Sequence, residues 1–329
     1  MIKTANKKQV PFNIKHDNRK KSREAWRAER ATYIGASDVC ALLGVSKYRG
    51  PYEVAAVKLG QVEEFNGNAV TRLGTLMERP ILEYWLAENA EHAESPVDCV
   101  EVFTCPFVLS HPDHPMLACN LDAYGVNSDG DTFVIEIKHT GIYGRESLAA
   151  WQNGETPSGI ALEYWTQVQS QLVVTGCAYA YLIAMCDKTL FVIRVAADDF
   201  AAELIKKEVP AFWEKHVETG VLPVPSSADG GALDKMYPPA SSADGDDAVC
   251  VRVDLADRVE QIRKKVACLD AEIAKHKKHC DLLKNEIKAQ MGSVETMYLD
   301  AEKSIRPVKW RTVTPKGDTA RRPYRLFRL

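Results

Sequence analysis

The most regular alternation of apolar and polar residues lies near the middle of the chain. Residues 116–138 read MLACNLDAYGVNSDGDTFVIEIK, in which two apolar runs flank a turn at residues 127–131 whose Ser-Asp-Gly suits a tight hairpin. Successive side chains of a strand point to opposite faces. The second run therefore predicts a strand with one apolar face and one mixed face, the first holding Phe133, Ile135 and Ile137 and the second holding Val134, Glu136 and Lys138.

Two segments on either side of this hairpin have helical periodicity. Residues 69–90 carry apolar residues on one face, and Pro80 predicts a bend beside Glu78, because proline removes an amide from the helix. Residues 162–176 place an apolar row beside a polar row, the polar row being Tyr164, Gln167 and Gln171. A polar row of this kind either meets a partner or faces solvent, and solvent is the usual outcome.

The C-terminal part has a different pattern. Heptad spacing runs through residues 255–287 without Gly or Pro, which predicts a long helix whose apolar seam is covered by a partner subunit or by the body of the same chain. The last residues alternate apolar and basic side chains around Pro-Lys-Gly-Asp, which predicts a short basic hairpin.

These patterns predict three regions. Residues 1–220 form the main domain with a basic N-terminal arm, residues 221–249 form a linker rich in Pro, Gly, Ser and Asp, and residues 250–329 add the heptad helix and the hairpin. A chain of 329 residues with 46% hydrophobic content is large enough for a substantial core. We expect an α/β fold with a mixed central sheet flanked by helices.

Charge is distributed unevenly along the chain, although the net charge is only −3. Residues 1–30 contain ten basic and three acidic side chains, and residues 303–329 contain nine basic side chains and one acidic one. Basic ends on an acidic body favour contact with a polyanion such as DNA, although soluble tails give the same composition.

The nine cysteines include no C-x-x-C pair, and the chain has no N-terminal apolar segment. Both observations predict a reducing cytoplasm rather than a disulfide framework. No apolar run is long enough to cross a bilayer, so we expect no membrane association.

The hairpin carries candidate chemistry. Folding at the turn brings Asp122 near Glu136, and two converging carboxylates suit a hard divalent cation, magnesium or manganese. Lys138 on the same face would stabilise charge or position a water beside that metal. The competing interpretation is an ordinary surface ladder of salt bridges.

Residues near the N-terminus form a candidate anion site. Ser37 follows Gly35-Ala36 and precedes a short helical pattern, so its hydroxyl and the first free amides can bind an anion. A plain helix cap gives the same pattern, but Arg30 nearby favours a phosphate.

Four motifs in order resemble a known family: WRAER…IGASDVCALLG, then GTLME at residues 74–78, then Asp122 with Glu136-Ile137-Lys138, then YWTQVQ. The third matches the core of the PD-(D/E)XK nucleases. Together, from residue 26 to residue 220, they resemble the lambda-exonuclease-like or YqaJ-type phage recombinases. The resemblance implies a restriction-endonuclease-like core, with the C-terminal helix and hairpin as additions.

The resemblance also implies roles for individual residues. Metal ligands would be Asp122, Glu136, the carbonyl of Ile137, and Glu78. Lys138 would orient and activate the attacking water, and Gln167 would help to hold the site. Arg30 and Ser37 would bind the 5'-phosphate of a DNA end. The residues around Asp122 depart from the family pattern, yet Asn120 can still donate a hydrogen bond to a phosphate.

The expected activity is Mg²⁺-dependent 5'–3' digestion of linear double-stranded DNA, with one or two ions and with Mn²⁺ able to substitute. The expected setting is the cytoplasm of a bacterial host, with the gene carried by a phage or prophage. Resemblance alone implies a ring-shaped homo-oligomer, with a trimer favoured, and a single-strand annealing partner. The alternatives are an endonuclease of the same fold and a non-catalytic DNA-binding or scaffold protein.

Overall fold

The computed structural model describes residues 2–19, 22–92, 96–140, 159–237, 253–291, 296–297, 308–313 and 324–328. They divide into two compact units, Met1–Ala240 and Ser241–Leu329, which are described separately.

The first unit alternates strands and helices. Its strands are β1 (Ile2–Thr4), β2 (Ile14–Asp17), β3 (Ile34–Gly35), β4 (Glu101–Thr104), β5 (Phe107–Ser110), β6 (Leu117–Asn120), β7 (Ala123–Val126), β8 (Thr132–Thr140), β9 (Tyr179–Cys186) and β10 (Thr189–Ala196). Its helices are α1 (Arg23–Arg30), α2 (Ala36–Leu42), α3 (Pro51–Lys58), α4 (Ala69–Glu91), α5 (Leu162–Thr175), α6 (Asp199–Phe212) and α7 (Gly230–Met236). A π-helical segment, Trp213–Glu218, follows α6 shortly after Pro210.

A six-stranded mixed sheet forms the centre of this unit, in the order β1-β4-β7-β8-β9-β10. The predicted hairpin is β7 and β8, paired antiparallel with Ala123 opposite Ile135, while β8 and β9 run parallel. The mixed α/β fold predicted from the sequence is confirmed.

Both faces of β8 are buried, which explains its composition. Phe133, Ile135 and Ile137 pack with Ile81 and Trp85 of α4 in one apolar cluster. On the opposite face Val134 packs with Val168 and Leu172 of α5 in the larger cluster. The centre of a strand that helices cover on both sides has no solvent face, so Glu136 is held inside the protein.

The segment before β7 changes sheet. β6 belongs to a second, four-stranded sheet ordered β2-β5-β6-β3, and β7 belongs to the central sheet. The sequence pattern predicted one continuous strand carrying Asp122, which is wrong: Asp122 lies at the break between β6 and β7. Leaving the first sheet here frees Asp122 from a ladder position and lets its side chain turn toward β8.

Helix α3 is capped from a distant part of the chain. Gly50 precedes the helix and has no side chain to cap it, and Asp229 accepts hydrogen bonds from the backbone N–H groups of Gly50 and Glu53 at 3.0 and 2.9 Å. Asp229 is fully buried, and a side chain at Gly50 would collide with it. Residues 226–236 are therefore fixed to the first unit, within the predicted linker of residues 221–249.

Residues 238–249 of that predicted linker lie outside the described residues. The boundaries at residues 220 and 249 therefore stay a prediction.

The second unit contains the predicted long helix, α8 (Val253–Met291). A three-stranded antiparallel sheet follows, formed by β11 (Thr296–Met297), β12 (Val308–Val313) and β13 (Tyr324–Arg328). β12 and β13 are the strands of the predicted basic hairpin, whose turn lies outside the described residues. None of the described helices combines the length and the apolar character that crossing a bilayer requires.

Candidate active site

Glu136 is buried, and Lys138 beside it is partly buried. Glu136 is only 3% exposed, and its Oε1 accepts a hydrogen bond from Lys138 Nζ at 2.5 Å. The Lys138 ammonium also lies 5.7 Å from the centre of the Tyr164 ring. Burial excludes the alternative interpretation of a solvent-exposed salt-bridge ladder.

Helix α5 supplies two amides that hold Glu136. Gln167 Nε2 donates to Glu136 Oε1 and Gln171 Nε2 donates to Glu136 Oε2, each at 2.6 Å. Gln167 also accepts from Lys138 Nζ at 3.1 Å. The two glutamines lie one helical turn apart, so both face the same carboxylate. The polar row of α5 therefore meets a partner rather than solvent.

Asp122 closes the site from the break between β6 and β7. Its Oδ2 accepts the backbone N–H of Ile137 at 2.7 Å. Ile137 thus connects the two carboxylates: Glu136 precedes it in β8, and Asp122 accepts the hydrogen bond from its backbone N–H. Because β7 begins at Ala123, its ladder with β8 stops at Ile135 and leaves the Ile137 amide to the Asp122 side chain.

Three carboxylates share one lysine in this cluster, which we call the acidic cluster: Asp122, Glu136, Glu78 and Lys138. Burial and the charges on Glu136 and Glu78 raise the pKa of Asp122 well above its usual range. Burial and Glu136 likewise raise the pKa of Glu78. Burial opposes the charge on Lys138, but Glu136 and Asp122 outweigh it and raise the pKa of that ammonium. The single ammonium of the acidic cluster therefore does not balance its three carboxylates.

A second group of charges, which we call the balanced cluster, lies beside it: Arg30, Asp38, Arg49, Lys58 and Glu64. Asp38 is 1% exposed and bonds Arg30 at 3.0 Å, Arg49 at 2.5 Å and Lys58 at 3.0 Å. Burial opposes its ionisation, yet these three cations hold the pKa of Asp38 well below its usual range. Glu64 bonds Arg30 Nε at 2.8 Å. Asp38 and Glu64 thus fix the Arg30 guanidinium in place.

The start of α2 differs from the prediction in one detail. Gly35, not Ser37, is the N-cap residue, and its N–H donates to Asp38 Oδ2 at 2.9 Å. A Cβ at Gly35 would lie 2.2 Å from an Arg30 guanidinium nitrogen, so only glycine allows this approach. Ser37 lies in the first turn, where its side chain is exposed. A plain cap role for Ser37 is excluded.

One cavity of about 350 Å³ brings all the predicted residues together. It is lined by Trp26, Arg30, Gly35, Ala36, Ser37, Glu64, Glu78, Asn120, Asp122, Glu136, Ile137, Lys138 and Gln167. The cavity therefore connects the acidic cluster with Arg30 and Ser37.

The donor set of the acidic cluster fits a hard divalent cation. All its candidate ligands are oxygen atoms, and its carboxylates lack positive charge. Within the described ranges no set of three or more His, Cys, Asp or Glu side chains already converges closely enough to hold an ion. Glu136 faces Lys138 and the two glutamines instead, and Asp122 faces the Ile137 amide.

Sequence patterns missed several residues of the cavity region. Gln171 was visible on the polar row, but its contact with Glu136 was not. Asp38, Lys58 and Glu64 had no signal, because each bonds a group in another element.

Comparisons with known proteins identify a similar family and a similar curated protein. Residues 25–178 match the family described as YqaJ-like viral recombinase domain. A curated relative, "Uncharacterized protein YqaJ" of Bacillus subtilis (strain 168), is 26% identical over 286 residues, which cover 86% of this chain and 82% of the relative.

Among solved structures, an alkaline exonuclease from Laribacter hongkongensis is 24% identical, with a TM-score of 0.45, covering 60% of this chain and 94% of that one. Its complex with dAMP matches over the same shares with a TM-score of 0.44. The resemblance predicted from the sequence motifs is borne out: residues 25–178 match the YqaJ-like viral recombinase domain, and this match supports a role in recombination.

Proposed function

We propose that this protein is a nuclease, namely a Mg²⁺-dependent 5'–3' exonuclease that hydrolyses linear double-stranded DNA and leaves 3' single strands for recombination. The main support is that one cavity holds both the acidic cluster and the Arg30–Ser37 pair. The first group suits phosphodiester cleavage, and the second suits capture of a phosphorylated end.

The metal site would use four ligands. Asp122, Glu136, the carbonyl of Ile137 and Glu78 would hold one or two Mg²⁺ ions, and Mn²⁺ would substitute because it also prefers oxygen ligands. When bound, the metal lowers the pKa of a coordinated water and offsets charge on the phosphate. Burial and the neighbouring carboxylates raise the pKa values of Asp122 and Glu78, and positive charge there would offset both effects.

Lys138 would act as an ammonium. Its raised pKa keeps it protonated at neutral pH, so it can donate hydrogen bonds to the attacking water or to a phosphoryl oxygen. Gln167 would keep Lys138 and Glu136 in register, because it bonds both side chains. Lys138 is thus a catalytic residue and Gln167 a positioning residue in this proposal.

The DNA end would be recognised at the other side of the cavity. Arg30, Ser37 and Asn120 would contact the 5'-phosphate. Arg30 now bonds Glu64, so an incoming phosphate would compete with that carboxylate for the guanidinium. The basic residues at both ends of the chain would hold the duplex backbone.

Assembly follows from the family resemblance. We propose a homo-oligomer, with a trimeric ring favoured, that works with a single-strand annealing protein. Membership of a viral recombinase domain family supports this proposal.

The test is digestion of blunt linear duplex carrying a 5'-phosphate on one end only, with each strand labelled separately, in Mg²⁺. We expect 5'–3' loss that starts from the phosphorylated end. Lys138→Ala should abolish it, and the control Lys188→Ala, which changes an exposed lysine in the β9–β10 turn, should not. Equal activity of wild type and Lys138→Ala would refute the site. Cutting of covalently closed circular DNA would instead identify an endonuclease.

A further inference from the structure

Helix α8 exposes a continuous apolar seam. The helix has 39 residues and is therefore about 58 Å long. Leu255, Leu269 and Leu283 lie along one line and are 45%, 56% and 44% exposed. The other seam positions, at alternating spacings of four and three residues, are Val259, Ile262, Val266, Ile273, His276, Cys280 and Ile287. An apolar line this long is stable in water only when another surface covers it.

The residue types along the seam indicate what covers it. A spacing of three from Val259 to Ile262 sets Val259 at heptad position a and Ile262 at position d. Position a then carries Val, Val, Ile, Cys and Ile, and position d carries Leu, Ile, Leu, His and Leu. β-Branched residues at a with mainly Leu at d favour parallel, two-stranded coiled coils.

Charges beside the seam indicate the orientation. In a parallel pair in register, position g of one helix faces the following e position of its partner. Lys265 then faces Asp270, and Glu272 faces Lys277, which gives four attractive contacts per pair of helices. The like charges Arg258 and Arg263 meet only near the N-terminal end, where separation costs least.

We propose that two copies of this chain pair through α8 as a parallel, in-register, two-stranded coiled coil. The occupant of the seam is a second α8, with the side chains of each a and d position packed against the same positions of the other copy. This interface is independent of the nuclease site and of any ring formed by the first unit.

The antiparallel arrangement fits the charges less well. Residues at the middle of an antiparallel pair lie opposite their own copies, and the middle of this seam is acidic at Asp270 and Glu272. Like charges placed opposite one another destabilise a helix pair. The parallel arrangement avoids this repulsion.

The mass of the full chain in solution tests the pairing. Leu269→Asp/Leu283→Asp puts four carboxylates into the seam of each pair. The matched control is Cys268→Asp/Leu282→Asp, which makes the same change one residue earlier, on the exposed outer side of the helix. By light scattering at tens of micromolar, we expect the seam variant to have half the mass of wild type and the control to keep the wild-type mass.

A cross-link tests the orientation. Parallel pairing in register puts the two Cys280 thiols opposite each other, whereas antiparallel pairing separates them by about 18 residues, roughly 27 Å. Diamide removes one hydrogen from each of two thiols and leaves a disulfide and its own reduced form. In chains whose Cys250 is replaced by Ser, we expect a covalent dimer that Cys280→Ser abolishes and Cys268→Ser does not.

Each other outcome overturns the proposal. Equal masses for wild type and the seam variant would show that the seam is covered by the chain's own body or serves another purpose. A threefold drop in mass would show a three-stranded assembly. Halved mass without a Cys280 cross-link would show antiparallel pairing. Circular dichroism of both double variants checks that the helix is retained.

Discussion

The acidic cluster lines one cavity together with Arg30 and Glu64 of the balanced cluster, and the two clusters differ in the balance of their charges. In the balanced cluster three cations and two carboxylates bond one another, and the pKa of Asp38 lies well below its usual range. In the acidic cluster three carboxylates share Lys138, and the pKa values of Asp122 and Glu78 are raised. A buried carboxylate that its neighbours already satisfy stabilises the fold, and one that lacks a cation marks a place for a ligand.

Removing one charge from the acidic cluster should cost activity but not stability. Asp122→Asn keeps an oxygen that can accept the Ile137 N–H while removing a candidate metal ligand. We expect cleavage of linear duplex in Mg²⁺ to fall at least about 1,000-fold, which corresponds to about 4 kcal/mol in the barrier. Urea unfolding in chelator should show an equal or higher free energy of unfolding, because one unfavourable buried charge is gone. A large loss of metal-free stability would contradict the comparison.

The equivalent substitution of aspartate by asparagine in the balanced cluster should reduce the stability of the fold. Asp38→Asn leaves Arg30, Arg49 and Lys58 without their shared carboxylate. We expect the free energy of unfolding to fall by about 3–5 kcal/mol, since buried cations are left unpaired. Glu83→Gln, which breaks the exposed Arg79–Glu83 pair, is the control and should change it by less than about 1 kcal/mol. If Asp38→Asn were as stable as wild type, the two clusters would not differ as described.

Substitution of Gln171 should reduce activity less than substitution of Asp122. Its side chain holds Glu136 Oε2, so Gln171→Ala should lower kcat about 10- to 100-fold and raise the Mg²⁺ concentration needed for half-maximal rate. Gln169→Ala is the control on the same helix: Gln169 bonds the Ala196 carbonyl and the Asp198 N–H, so its loss should reduce stability and leave the metal dependence unchanged. A change in stability alone for Gln171→Ala would mean that it has no positioning role.

The smallest expected effect is on the pH dependence of the free energy of unfolding, to which the two clusters should contribute with opposite sign. The folded-state pKa values of Asp122 and Glu78 are raised, so metal-free protein binds more protons folded than unfolded and loses stability as the pH rises from about 4 through those values. The pKa of Asp38 is lowered, so its contribution is lost only as the pH falls below about 4. Urea unfolding in chelator at pH 5 and pH 7 should therefore favour pH 5, more for wild type than for Asp122→Asn.

More of the acidic cluster than of the balanced cluster could be predicted from the sequence. The alternation around Glu136 and Lys138 and the turn before them were enough to predict a shared face and a converging Asp122. The change of sheet between β6 and β7 was missed, because nothing local distinguishes one strand with a break from one continuous strand. Asp38, Lys58 and Asp229 were missed because their partners come from other elements, and Asp229 caps a helix 176 residues away.

Calorimetric titration of the chain with Mn²⁺ tests the central claim most directly, because it needs neither DNA nor cleavage. In two buffers of different ionisation enthalpy, we expect wild type to bind Mn²⁺ and release protons, since the ion replaces protons favoured by the raised pKa of Asp122. Asp122→Asn should lose the binding, and Glu64→Gln, which changes a carboxylate of the balanced cluster, should retain it. Equal Mn²⁺ binding by wild type and Asp122→Asn would contradict the claim that the acidic cluster is the metal site.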